Sequence, residues 1–336
     1  MTARAFSFLL ENIMIKGLAI TPPIIGRISI GRIVEKNGKR LPEKDDQFTL
    51  TTQVQHKDGW LLHPLDEQLR QEQTTNNGKL RTIPVRLLFN SPELNLRAEY
   101  SLFDRQTGRP LCVGNGESCR RYTPQGIQQL PCPSPEACDL ARTGHCKPYG
   151  RLHVIVNDEE DIGTFIFRTT GFNSIRTLAA RLSYYQALSG DLLACLPLQL
   201  KLRGKSTTQS HRTAIYYVDL TLRDNHSLAQ ALQQAKTLNQ QRQEMGFQQQ
   251  ALDQAAEAGF NNAQFEFSEE EIPELLEEFY PNAYDDNSVQ GQSTSTTNTN
   301  ANSANPSNNL NAKTANGVLK QKLGQRLQAQ STSSPN

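Results

Sequence analysis

The stretch "GRLHVIVNDEEDIGTFIFRTTGFNSIRTLAARLSYYQALSG" (Gly150–Gly190) decides the fold. Leu152, Val154 and Val156 alternate with Arg151, His153 and Ile155, a period of two that puts one apolar row on one face of a strand. "GTFIFRTT" (Gly163–Thr170) reads as the next strand, after a turn near Asp161-Ile162-Gly163. The period then changes. Ile175, Leu178, Ala179 and Leu182 recur at helical spacing, which predicts a helix over 171–190 with Asn173 or Ser174 as N-cap and Gly190 just past its end. "LLACLPLQLKLRGK" (Leu192–Lys205) and "RTAIYYVDLTLRD" (Arg212–Asp224) follow as two strands joined by a polar loop. Strand–strand–helix–strand–strand with short connections predicts the α+β class: an antiparallel sheet with one helix packed across a face.

Working outward, "GRISIGRIVEKNGKRLPEKDDQFTLTT" (Gly26–Thr52) reads as strand, Asn37-Gly38 turn, strand, because both central residues of a type I′ turn need positive φ. "LRTIPVRLLFN" (Leu80–Asn90) and "LNLRAEYSLFD" (Leu94–Asp104) add two more strands. Downstream, Ser227–Gly246 is a Gln-rich helix with a capping serine, and "IPELLEEFY" (Ile272–Tyr280) is a short amphipathic helix. "GVLKQKLGQRLQ" (Gly317–Gln328) spaces three leucines four apart among basic residues, a pattern that folds on a partner. The expected organisation is a β-rich region over 1–111, a Cys-rich loop over 112–148, the core over 149–224, a helical and acidic extension over 225–284, and a disordered tail over 285–336.

Composition supports that division. Hydrophobic residues make up 36% of the 336, and mean hydropathy is −0.58. The tail is mostly Ser, Thr, Asn, Gln and Ala, too little apolar area to offset the entropy of ordering. Residues 261–286 hold nine of the 34 acids and no Lys or Arg, and four of the 35 bases lie beyond them. Residues 1–260 therefore carry 31 bases and 25 acids, a net of +6 hidden inside a whole-chain charge of +1. A basic body suits nucleic acid, and an acidic segment suits a protein partner or an intramolecular mask. The apolar residues of "MTARAFSFLLENIMIKGL" are broken by Glu11 and Asn12, so neither a secretory leader nor a membrane span is expected, and the expected location is cytoplasmic.

Five of the six cysteines, Cys112, Cys119, Cys132, Cys138 and Cys146, fall in one polar, Gly- and Pro-rich window. Thiolates at short spacing hold Zn²⁺ tetrahedrally and fix a loop that cannot fix itself by burial. The spacing C-x6-C-x12-C-x5-C-x7-C contains no C-x2-C pair, so the quartet stays open, and His145 is an alternative donor. A disulfide pair or unliganded core thiols are the competing readings. The sequence has no G-x-S-x-G elbow, H-E-x-x-H or Walker A loop, and its six histidines are scattered. A hydrolytic zinc site would need an open position and a base such as Glu117 or Glu136. Arg203, Lys205 and Arg212 flank the loop "RGKSTTQSHR", and Arg168, Arg176 and Arg181 surround the helix that precedes it. Such cations are candidates for contact with DNA phosphates or with an acidic partner.

"GRPLCVGNGESCRR", "LPCPSPEAC", "CKPYGRLHV", "GTFIFRTTGFNSIRTLAARL" and "LACLPLQLKLRGKSTTQSHRTAIYYVDLTLR" resemble, in this order, a phage and mobile-element family of recombination directionality factor-like proteins. Bacterial members are often labelled hydrolase or metal-binding protein. The segment Gly26–Thr52 resembles the family's opening, and the resemblance spans about residues 20–224. It implies a metal-binding, non-catalytic accessory protein that acts on a large serine integrase on DNA. A metal-dependent hydrolase and a DNA-binding protein of phage or plasmid replication or repair are the alternatives.

Overall fold

In the computed structural model, which describes residues 21–36, 39–56, 59–73, 77–143, 145–157, 162–206 and 214–262 with Ile272, Leu275 and Phe279, the first hairpin forms as β1 (Ile24–Lys36) and β2 (Lys39–His56). Its Asn37-Gly38 turn lies outside the described residues. An edge strand, β3 (Gly59–Leu62), leads into α1 (Pro64–Glu72), a helix whose start is set by Pro64 and by His63 Nδ1 accepting from the Leu65 N–H at 3.2 Å. Buried Asp66 locks α1 onto β2: its carboxylate accepts from the Leu50 N–H at 2.8 Å and from Arg70 Nε at 2.7 Å. β4 (Thr82–Arg86), α2 (Pro92–Asn95) and β5 (Leu96–Phe103) follow.

The Cys-rich window is folded rather than a bare loop. It holds β6 (Pro110–Gly114), β7 (Ser118–Thr123), β8 (Gly126–Pro131), α3 (Ser134–Ala137) and α4 (Asp139–Thr143). Next come β9 (Lys147–Val156), β10 (Thr164–Thr169), α5 (Phe172–Ser189), a 3₁₀ turn at Leu193–Cys195, β11 (Leu198–Lys205) and β12 (Ile215–Leu222). α6 (Leu228–Glu244) and α7 (Gln249–Asn262) follow, and beyond them Ile272, Leu275 and Phe279 are helical. The chain is thus α+β, with an antiparallel-dominated sheet; to the expected helices at α5 and α6 it adds α1, α2, α3, α4 and α7. All described residues belong to the unit Met1–Asn287; the unit Ser288–Asn336, which contains the leucine-spaced segment and nearly all of the expected tail, lies outside them.

The sheet runs β3-β2-β1-β10-β9-β5-β6-β7-β8, antiparallel except for the parallel β1–β10 pair. A branch, β9-β4-β11-β12, leaves it where Val85 and Arg86 of β4 pair with Val156 and Ile155 of β9. The expected N-terminal β region and the expected core therefore share one sheet. Leu152, Val154 and Val156 of β9, Phe165 and Phe167 of β10, and Phe48 and Leu50 of β2 meet Ile83, Leu198, Leu200, Val218 and Leu220 of the branch in the main core. α5 closes it with Leu178 and Leu182, both at 0% exposure. Its helical period forms as expected and Gly190 caps it at φ 63°, whereas its N-cap is Gly171. Ser174, expected as a cap, instead accepts the Val218 N–H at 3.1 Å and staples the helix to β12. α6 opens with a full capping box between Ser227 and Gln230.

Candidate metal centre

Polar turn chemistry builds the cysteine lobe. Asn115 Oδ1 accepts from the Glu117 and Ser118 N–H groups, both at 2.9 Å, closing the β6–β7 turn. Cys112 on β6 lies opposite Arg121 on β7, and Cys119 on β7 lies opposite Gly114 on β6 and Leu130 on β8. Cys132 follows β8, where its N–H donates to the Glu117 carbonyl at 2.8 Å. Cys138 sits at the α3–α4 junction, and Cys146 immediately precedes β9. The lobe has its own small core of Leu102, Cys112 and Cys119, with Leu130, Cys132, Leu140 and Cys146 packed against it.

Four of the five cysteines, Cys112, Cys132, Cys138 and Cys146, line one cavity of about 20 Å³ together with Leu102, Leu140 and Arg121. That volume admits a single atom-sized guest. Gly114 makes the closeness possible: a Cβ there would lie 2.6 Å from Cys119 Cβ and 2.9 Å from Cys132 Sγ. Cys119 stands beside the cavity, its thiol 3.7 Å from the Pro131 carbonyl. All six cysteines are free, so the disulfide reading is set aside. Among the described residues, no three Cys, His, Asp or Glu side chains are already arranged to hold a metal ion. The cavity brings the thiols together without that arrangement.

Burial, then the neighbouring thiols Cys112, Cys132, Cys138 and Cys119, pushes the Cys146 thiol up to about 12. Burial and a hydrogen bond to Cys112 push Cys119 up to about 11. Arg121 faces this cluster: its guanidinium is held more firmly protonated, chiefly by a hydrogen bond with Cys112, and its Nη2 lies 3.9 Å from Cys138 Sγ. His145, Glu117 and Glu136 are exposed and do not line the cavity.

The structure brings together four of the six cations singled out from the sequence. Arg176 and Arg181 project from α5, and Arg203 and Lys205 from β11. Two of them share one buried acid that the sequence reading missed: Arg181 Nε and Arg203 Nε reach the two oxygens of Asp219 at 3.0 and 3.2 Å. Lys205 Nζ donates to Asn173 Oδ1 at 2.7 Å, while Arg176 is exposed. Arg212 lies outside the described residues. Arg168 is separated from these four. It pairs across β10–β9 with Arg151, and strand alternation puts both on the face opposite the main core.

That reverse face is itself basic. Register places Arg97 opposite Arg151, and both reach Glu99 Oε2, at 3.0 and 3.3 Å. His153 lies on the same face, 4% exposed; burial, then Arg151 and Arg168, pulls its imidazole down to about 3. Each of these residues was visible as the polar half of an alternating strand. Which strands lie side by side was not.

A family model described as Gp3-like, recombination directionality factor-like, matches residues 25–223, more than half of the chain. No curated protein and no solved structure matches the chain.

Proposed function

The chain belongs to the recombination directionality factor-like family, and on that premise we propose that it is a zinc-binding accessory protein of site-specific recombination in a phage or integrated element, acting on a serine integrase on DNA. The observation that carries the metal part is the convergence of Cys112, Cys132, Cys138 and Cys146 on one ion-sized cavity. Four thiolates are the donor set of a closed structural zinc site. Bound zinc would supply a structural cross-link between β6, the end of β8, the α3–α4 junction and the start of β9. Arg121, already turned toward Cys112 and Cys138, offsets the negative charge that four deprotonated thiols create. The small apolar-walled cavity, with Glu117 and Glu136 outside it, favours this role over hydrolysis.

An accessory factor of this kind need not touch the chemistry. It binds one integrase–DNA arrangement more tightly than another, because a ligand shifts an equilibrium only through differential affinity. The test is the metal content of purified protein beside the recombination direction of an integrase supplied with it. About one zinc per chain is expected, lost in Cys132→Ser and Cys146→Ser and kept in Cys195→Ser, whose thiol is in the 3₁₀ turn of the main core. A metal-free wild type that is fully folded and fully active would sink the zinc reading. Unchanged integrase products with and without the protein would sink the integrase reading.

A further inference from the structure

The reverse face of β9 ends in an aromatic seat that the chain fills with its own C-terminal extension. Lys147 and Tyr149 on β9 and Phe103 on β5 share that face. Leu275 and Phe279, 3% and 1% exposed, pack onto them, and together with Ile272 they are helical residues at i, i+3 and i+7. Phe279 meets Phe103 and Tyr149 edge-on, with ring centroids 4.7 and 5.4 Å apart. Lys147 Nζ donates to the Phe279 carbonyl at 2.9 Å. At the other end, Gly108 turns the chain at φ 64°, and a Cβ there would lie 2.7 Å from Ile272 Cγ2. The seat is shaped for the close approach of a large apolar side chain.

Three observations set this contact apart from ordinary core packing. Phe103, Tyr149, Leu275 and Phe279 form a cluster separate from the main core. The seat lies within the family-matched residues 25–223, whereas its occupant lies beyond them. The stretch that supplies the occupant, 261–286, holds nine carboxylates and no Lys or Arg, and the face beside the seat carries Arg97, Arg151 and Arg168.

We propose that the Phe103–Lys147–Tyr149 seat is a docking site for a short, acidic, amphipathic helix of a partner protein, and that Ile272, Leu275 and Phe279 are its built-in occupant, displaced when the partner binds. The inference depends on neither the metal nor the integrase. A tethered occupant acts at an effective concentration on the order of millimolar, so it screens the seat against weak competitors and yields to strong ones. Its three anchors match the helix-in-groove pattern of recognition, and Lys147 adds charge selectivity.

The probe is a fluorescein-labelled peptide of residues 268–282, titrated against the full-length protein and against full-length Leu275→Ala/Phe279→Ala. The double variant should keep a cooperative unfolding transition and bind the peptide at least about tenfold more tightly than wild type, because the tethered competitor is gone. Adding Lys147→Glu to it should weaken binding, and a peptide with alanine at the two anchor positions should not bind. If the folded double variant binds no better than wild type, the proposal fails. It also fails if that variant loses its cooperative transition, since the segment is then a permanent part of the core. A released variant that takes up duplex DNA and not the peptide would overturn the choice of partner in favour of a phosphate-binding face.

Discussion

His153 is a charge that folding forbids. Its ring is buried on the reverse face of β9, within hydrogen-bonding reach of Thr164 Oγ1 at 3.4 Å and beside the cross-strand pair Arg151–Arg168. The unfolded chain takes up a proton near the ordinary imidazole value of 6.5, while the folded chain resists it down to about 3. Stability from this residue is therefore complete above pH 6.5 and is lost as pH falls through that window, by up to about 1.4 kcal/mol per pH unit. The melting temperature of His153→Gln, followed between pH 7 and 4, should fall less steeply than that of wild type. Parallel curves would mean that other groups carry the acid limb. The cysteines obey the same rule with the shift reversed, because burial disfavours their charged form too. Thiols pushed up by burial stay protonated at neutral pH, so zinc uptake should release protons and weaken as pH falls.

At the scale of elements, α5 shows what periodicity can and cannot reveal. Ile175, Leu178 and Leu182 announce the helix and its buried stripe, and Gly190 announces its end. Nothing local announces Asp219, because its work is done 38 residues away in sequence, at Arg181. The same limit explains the cysteine lobe. The five thiols were legible as a cluster, but selection of the four that line the cavity depends on the β6–β7–β8 register, and Gly114 gave no signal of its own. α1 and α7 went unread because each is anchored by a partner far off in sequence, Asp66 at the Leu50 N–H and Asp253 at the Asn90 N–H, rather than by a clear pattern of its own. Asp219→Asn should cost about 1–3 kcal/mol in urea unfolding, since it weakens the three charge-assisted hydrogen bonds that Arg181 and Arg203 donate to a buried carboxylate. It also separates the two roles of these arginines. If Arg181 and Arg203 serve phosphate, releasing them from Asp219 should strengthen salt-sensitive DNA binding. If they serve only the α5–β12 joint, stability falls and DNA binding stays where it was.

At the scale of the molecule, β9 is the strand on which everything converges: β10 on one edge, β5 and β4 on the other, the main core on one face and the C-terminal extension on its reverse. Residues 288–336 are mostly Ser, Thr, Asn, Gln and Ala, with little apolar area to contribute. Deleting them should leave the melting temperature within about 2 °C of the full chain, which differential scanning calorimetry reads directly. Among the described residues no helix is long and apolar enough to cross a membrane. The parallel β1–β10 pair has a further consequence, in time rather than in space. Thr164 donates to the Pro23 carbonyl across 141 residues of chain. During synthesis the β1–β2 ribbon emerges early and must wait for β10 before that edge is satisfied. At roughly 5–20 residues per second this leaves a bare strand edge for many seconds. A nascent chain stalled before residue 164 would present that edge to its neighbours, where unpaired strands are prone to pair with other chains.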